Sequence, residues 1–234
     1  MKTRSQSAFT LIEMLVVISI IAVLAAFAVP ALTSALTKGQ MTGALNNGRQ
    51  LYLAGQQMAL DGSANSDPTL VWPGDDAAIT TMSQYATRLV RNDYLKVGDL
   101  TKLLSAPGAG VTATSDNATP PTITLAAVQN NTRGAFKVYR VRDLDASNVI
   151  FAVTSNYDYN ANTFPNVTAV PFGDKGFVVQ RKGGDASILR KNNANVAGAG
   201  SGNAFSALVG LPTGFTDPAN PPTGDPANSV LTFP

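Results

Sequence analysis

The chain has 234 residues, with 17 Lys and Arg against 15 acids and a formal net charge of +2. It contains no His and no Cys, which excludes Ser-His-Asp and Cys-His catalysis, thiol redox chemistry, disulfide bonds and the usual zinc sites. The near balance of charges argues against a nucleic-acid partner. Glu13 is the only glutamate, the other acids all being Asp.

The first predicted element is an apolar helix near the N-terminus. Residues 14–32, MLVVISIIAVLAAFAVPAL, carry no charge and as a helix would span about 28 Å, the hydrocarbon thickness of a bilayer. Lys2 and Arg4 precede this run and the next cation, Lys38, follows it. The positive-inside rule therefore predicts a single-pass protein with a cytoplasmic N-terminus. The alternative is a buried helix of a soluble domain.

Glu13 lies at the entrance of the predicted span. A carboxylate at the bilayer centre costs at least about 2.5–3.5 kcal/mol, and less toward the interface, so we interpret Glu13 as a functional residue. A signal peptide that is cleaved off and degraded would need no carboxylate at this position. The competing hypothesis is an ordinary signal peptide cleaved after Ala28, since residues 26–28 fit the small-x-small pattern. It would release a secreted binding or carbohydrate-active protein.

The segment SAFTLIEMLVVISIIAVLA resembles the N-terminus of type IV pilins and type II secretion pseudopilins, over about residues 1–60. The resemblance implies that a prepilin peptidase removes leader 1–8 between Ala8 and Phe9, where the family usually has Gly before the cut. It also implies N-methylation of Phe9 and assembly, through an inner-membrane platform, into a filament of identical or related subunits. Pro30 stands where the family usually has a proline and predicts a helix kink.

Phe9 and Glu13 are four residues apart and so share one helix face. The resemblance implies that, in a filament, Glu13 pairs with the Phe9 amine of a neighbouring subunit. A buried charge left without its partner is penalised by about 3–5 kcal/mol. The pair is therefore expected to fix the axial register of the filament.

Apolar residues recur at helical intervals as far as Leu60, which predicts a helix over residues 9–60, interrupted at Pro30 because proline removes a backbone donor. Residues 61–234 are then a head, beginning with a loop and two short helices capped by Ser83 and Asp99. Strands are predicted at 122–127, 135–141 and 149–154, and a hairpin at 176–181 and 186–190. A loop-rich tail is predicted from about residue 192.

This order of elements predicts an α+β fold, in which a long N-terminal helix packs on a small antiparallel sheet. The resemblance implies the same pilin-like architecture. Trp72 is expected to anchor its loop on the head core, the alternative being a binding aromatic.

Two acid pairs, Asp75-Asp76 and Asp143/Asp145, stand close in sequence. We interpret them as solvated turn residues, with a calcium site as the alternative, because hard cations need six to eight oxygen ligands. No other cofactor is expected. Seven cations lie on or beside predicted strands and are interpreted as a solvent face, with DNA binding as the alternative: Lys137, Arg140, Arg142, Arg181, Lys182, Arg190 and Lys191.

The sequence therefore predicts a non-enzymatic, structural subunit of a type II secretion pseudopilus or a type IV pilus. It would be an inner-membrane precursor with a periplasmic head that later joins the filament. A membrane-anchored enzyme is the third hypothesis, and its head would have to work without His, Cys or Glu.

Overall fold

The computed structural model describes residues 10–116, 118–128, 134–159, 165–190, 208–215 and 224–233. The chain divides into two units, residues 1–39 and residues 40–234, which are treated separately below. The predicted leader and Phe9 lie outside the described residues.

Helix α1 spans Leu11–Asn65. It continues through Pro30 without the predicted interruption, and a bend there remains a prediction. It also extends five residues past the expected end at Leu60. The helix ends where Ser66 adopts a left-handed φ of 54° and Asp67 N donates to Gly62 O at 2.9 Å. This six-to-one hydrogen bond is the Schellman termination, made here by a serine in place of the usual glycine.

Within the second unit, the C-terminal half of α1 is part of the head core. Tyr52 packs edge-on against Phe151, with ring centroids 5.6 Å apart, and stacks on Trp72 at 6.0 Å. Trp72 is 5% exposed, which confirms that it anchors its loop on the core. The buried residues of this half-helix are Met41, Ala44, Gly48, Leu51, Tyr52, Ala54, Gly55, Met58 and Gly62.

Two glycines of α1 differ sharply in the space around them, which gives a matched test of helix packing. A Cβ at Gly62 would collide with the backbone carbonyl of Leu70, whereas a Cβ at Gly43 meets nothing within 4 Å. We expect Gly62→Ala to lower the free energy of unfolding of the head by about 1–3 kcal/mol, the usual cost of overpacking. Gly43→Ala should be neutral or stabilising by up to about 1 kcal/mol, through helix propensity.

The measurement is denaturant unfolding of the full chain in detergent, followed by the fluorescence of Trp72, the single tryptophan. Equal stability of the Gly62→Ala and Gly43→Ala variants would contradict the packing described for α1.

A four-stranded antiparallel sheet forms the centre of the head. Its strands are β3 (Phe136–Val138), β4 (Ile150–Thr154), β5 (Phe177–Arg181) and β6 (Ala186–Leu189), in that spatial order. β5 and β6 form the predicted hairpin, in which Gly184 has a φ of +91°. Every residue of β3 and β4 is buried, so both faces of the sheet are covered at these two strands. The predicted α+β class is confirmed.

A second, two-stranded sheet pairs β1 (Gly110–Ser115) with β2 (Ile123–Val128), and the sequence predicted β2 alone. It lies against helices α2 (Met82–Arg91) and α3 (Val97–Leu103).

The predicted helix caps were wrong. Thr81 caps α2 and forms a reciprocal capping box with Gln84, whereas Ser83 Oγ accepts a hydrogen bond from Leu125 N of β2. α3 follows Lys96, which provides no side-chain cap. Thr81 and Gln84 fit the S/T-x-x-E/Q pattern of a capping box, which was therefore present in the sequence two residues earlier than expected.

The described parts of the tail pack more closely than its composition predicted. Val209 and Leu211 are at most 2% exposed, and Leu211 O accepts from Ile150 N at 2.8 Å. Segment 224–233 lies along β3, where Leu231 N donates to Val138 O, and reaches α2, where Met82 N donates to Thr232 O. A few well-placed apolar anchors are enough to dock these segments. The predicted tail boundary near 192 falls at residues outside the described set.

Several tyrosines of the head have a raised pKa. Burial raises the pKa of Tyr159 to about 12, and burial with a hydrogen bond to Asp61 raises the pKa of Tyr94 to about 12. In an unfolded chain tyrosine ionises near pH 10, so above that pH the unfolded state binds fewer protons than the folded one. Stability should therefore be intact below about pH 10 and fall as the pH rises toward about 12.

The check is a pH titration of the full chain in detergent that records tyrosinate absorbance and Trp72 fluorescence together. We expect tyrosinate to appear along with the cooperative loss of structure. Ionisation of all the tyrosines near pH 10 with native fluorescence retained would contradict this.

Candidate functional site at the N-terminus

The start of α1 is held by a reciprocal pair of side chains. Glu13 Oε2 accepts from the Thr10 backbone N–H at 2.8 Å and from the Thr10 hydroxyl at 2.7 Å. In return, Glu13 N donates to Thr10 Oγ1 at 3.3 Å. This is a capping box, which satisfies donors that a helix start otherwise leaves without partners. Glu13 therefore has a local structural role besides the one predicted for it.

The first unit presents a long apolar surface between Met14 and Leu32 of its helix. None of residues 10–32 is buried, and the large apolar side chains from Leu11 to Leu32 are 47–84% exposed. Such a surface is far larger than a soluble monomer leaves open to water. By length and composition, α1 is the one helix in the described part of the chain that could cross a membrane.

Hydroxyl groups along this half-helix are satisfied by the helix itself. Ser19 Oγ donates to Val16 O at 2.7 Å, Thr33 Oγ1 to Pro30 O at 2.9 Å and Thr37 Oγ1 to Thr33 O at 3.0 Å. Because these bonds are internal, the groups can enter hydrocarbon without losing partners.

The predicted site residues are only partly described. Glu13 and Pro30 lie in α1, whereas Ala8 and Phe9 are outside the described residues, so the Phe9–Glu13 relation stays a prediction. Sequence reasoning overlooked Thr10, although Thr10-x-x-Glu13 is a legible capping-box pattern.

The two acid pairs of the head are engaged in turns. Asp75 Oδ2 accepts from Asp143 N at 2.8 Å, and Asp76 pairs with Arg88 at 2.9 Å. Asp145 accepts from Arg142 N at 2.8 Å and from the Thr213 hydroxyl. Among the described residues, no group of three or more acidic side chains is placed to hold a metal ion.

The prediction that the strand cations form a solvent face was wrong for several of them. The Lys137 side chain is 1% exposed and lies between two carboxylates. Arg181 pairs with Asp185, and its Nε donates to Val209 O at 3.1 Å. Lys182 Nζ donates to the carbonyls of Asp143 and Asp145. These cations hold loops and tail in place. Lys191 lies outside the described set.

Comparison with known proteins agrees with this picture of the N-terminus. Residues 3–29 match the family model described as the prokaryotic N-terminal methylation motif, the signature of the prepilin-type signals of type IV pilins and pseudopilins. The resemblance noted from the sequence is thereby confirmed for this segment. No curated protein and no solved structure matches the chain.

Proposed function

We propose that the chain is the precursor of a structural filament subunit, of the type IV pilus or type II secretion pseudopilus kind. The observation that carries the proposal is the coincidence of two features at the N-terminus. The methylation motif covers residues 3–29, and after a capped start at Thr10 and Glu13 the helix within it exposes apolar side chains at every position except Ser19. The family match points to a structural role, and we propose no catalysis by this chain.

The proposed pathway begins in the inner membrane. The apolar half of α1 spans the bilayer, with Lys2 and Arg4 on the cytoplasmic side and the head in the periplasm. A prepilin peptidase cleaves between Ala8 and Phe9, and the new amine of Phe9 is methylated. The assembly platform then draws the subunit into a filament, where the apolar half-helix exchanges lipid contacts for contacts with other subunits.

Glu13 is proposed to act at the assembly step. Its carboxylate is exposed on the first turn of α1 and is held there by Thr10. The Phe9 amine of an incoming subunit is the cation we propose as its partner. In an apolar filament core, an unpaired carboxylate would be strongly unfavourable, so only the register that pairs it is stable.

The test is the mass of the mature N-terminus, measured on protein purified from its native host. N-methyl-Phe9 is the expected first residue. A chain that begins at Val29 would show an ordinary signal peptide and a secreted protein, although residues 26–30 lie inside continuous helix. A chain that begins at Met1 would show that no prepilin processing occurs.

Variants at Ala8 sharpen the test. Ala8→Gly restores the residue usual in the family and should be cleaved at least as completely. Ala8→Leu should leave the leader attached, because the bulky side chain disfavours cleavage there. Equal processing of both variants would argue against peptidase recognition of this position.

A further inference from the structure

Lys137, in the middle of β3, is the one buried lysine in the described part of the chain. Its Nζ donates to Asp225 Oδ2 at 2.7 Å and to Asp158 Oδ1 at 3.0 Å. Asp158 follows β4, and Asp225 belongs to the docked segment 224–233. An ammonium group is thus held between two carboxylates that come from distant parts of the sequence.

Tyr139 completes this arrangement, which we call the Lys137 cluster (Lys137, Tyr139, Asp158 and Asp225). Two positions along the chain from Lys137, the fully buried Tyr139 donates its hydroxyl hydrogen to Asp225 Oδ1. Burial, and then the Asp225 carboxylate, raises the pKa of Tyr139 well above its usual range, so the phenol remains a donor. The two oxygens of Asp225 therefore face different groups, Oδ2 the amine and Oδ1 the phenol.

The cluster has the three parts that an acyl transfer needs. Lys137 Nζ is a nucleophile in contact with the carboxyl group, the Tyr139 hydroxyl is a donor placed for a developing oxyanion, and Asp158 is a base within hydrogen-bonding distance of the nucleophile. Because the fold holds the Lys137 amine against the Asp225 carboxyl group, the effective concentration of one at the other is raised by several orders of magnitude. Burial of the lysine also penalises the charged pair relative to a neutral product.

We propose that Lys137 and Asp225 become joined by an intramolecular amide bond. Asp158 takes a proton from the Lys137 ammonium, and the free amine attacks Cγ of Asp225 while Tyr139 stabilises the negative charge on Oδ1. The C–N bond forms and the Cγ–Oδ2 bond breaks. Two protons of the ammonium leave with Oδ2 as one water molecule, carried through Asp158, which ends unchanged. The reaction needs no oxidant, reductant or other reactant.

The bond would tie segment 224–233 covalently to the central sheet. That segment contacts both β3 and the start of α2, and the link would close residues 137–225 into a covalent loop that force cannot extend. The proposal does not depend on which filament the subunit serves.

The experiment is mass spectrometry of the full chain, extracted from membranes in detergent. The intact protein should be lighter than its processed sequence by one water molecule. Trypsin should fail to cut at Lys137 and should yield residues 134–140 joined to residues 192–234, because no Lys or Arg follows Lys191. Only linear peptides from wild-type protein with native Trp72 fluorescence would overturn the proposal and leave the cluster as an ion-pair network.

Variants separate the roles within the cluster. Lys137→Arg keeps the cation and should give linear peptides alone. Asp158→Asn should slow formation of the bond about a hundredfold or more, the usual contribution of a general base. Formation of the bond in Asp158→Asn at the wild-type rate would overturn the role given to that carboxylate. Lys182→Arg, at a lysine bonded to backbone carbonyls, is the matched control and should keep the water loss and the branched peptide.

Discussion

Replacement of Glu13 by valine should abolish filament assembly while leaving membrane insertion and leader cleavage intact. Valine is apolar and fits the hydrocarbon region better than a carboxylate, so the precursor still inserts. In the filament, however, the Phe9 amine of the neighbouring subunit would lose its partner, at a cost of about 3–5 kcal/mol. The measurement is the yield of sheared filaments against the amount of processed subunit in the membrane fraction.

Glu13 also caps α1, so Glu13→Val alone changes two things at once. Glu13→Gln is the matched variant, because glutamine can accept the hydrogen bonds from Thr10 that the carboxylate accepts but carries no charge. We expect Glu13→Gln to assemble as poorly as Glu13→Val. Thr10→Val removes the side-chain half of the cap and keeps the charge, and it should retain most of the filament yield.

Two results would contradict this account. Normal filaments from Glu13→Gln would show that the cap, and not the charge, is what assembly needs. Failure of cleavage in Glu13→Val would place the role of Glu13 at the peptidase and not at assembly.

Replacement of Phe151 by alanine should remove a large part of the stability of the head. Phe151 is fully buried, and its ring packs edge-on against Tyr52 and Trp72 at 5.6 and 5.8 Å. Phe-to-Ala changes in such positions cost about 3–5 kcal/mol, and whole domains are stable by only about 5–15 kcal/mol. Tyr52, Trp72 and Phe151 form an aromatic cluster that joins α1, the loop of Trp72 and β4. Loss of the Phe151 ring should therefore weaken the packing of all three elements.

Denaturant unfolding of the full chain in detergent, followed by Trp72 fluorescence, measures this effect. Leu144→Ala is the control, because the Leu144 side chain is 95% exposed and its truncation should change stability by less than about 0.5 kcal/mol. A loss below about 1 kcal/mol for Phe151→Ala would contradict the packing described for the aromatic cluster.

Local sequence signals predicted much of this fold. The uncharged run after Glu13 predicted the exposed apolar half-helix, and the Gly-Gly turn predicted the β5–β6 hairpin. Both features are determined by residues only a few positions apart, and hydrophobic periodicity and turn residues predict structure over that range. The N-terminal motif was legible for the same reason.

Contacts between distant segments could not be read in this way. The alternating pattern around Lys137 suggested a solvent face, yet Asp225, 88 residues further on, covers it. Leu211 and Leu231 stand out as apolar residues of the tail, but their local sequence does not show that they dock on the sheet. The composition of the tail predicts loops. Whether its few apolar residues are buried depends on the surface of the sheet they pack against, which composition does not describe.

The route of segment 224–233 has a practical consequence for anyone who labels or shortens this protein. Its backbone occupies the hydrogen-bonding groups of β3 that would otherwise face outward. Deleting segment 224–233 would leave β3 as an unpaired edge strand, a surface through which heads aggregate. A fluorophore is better attached to the side chain at position 144, where Leu144 is 95% exposed, than placed in this segment.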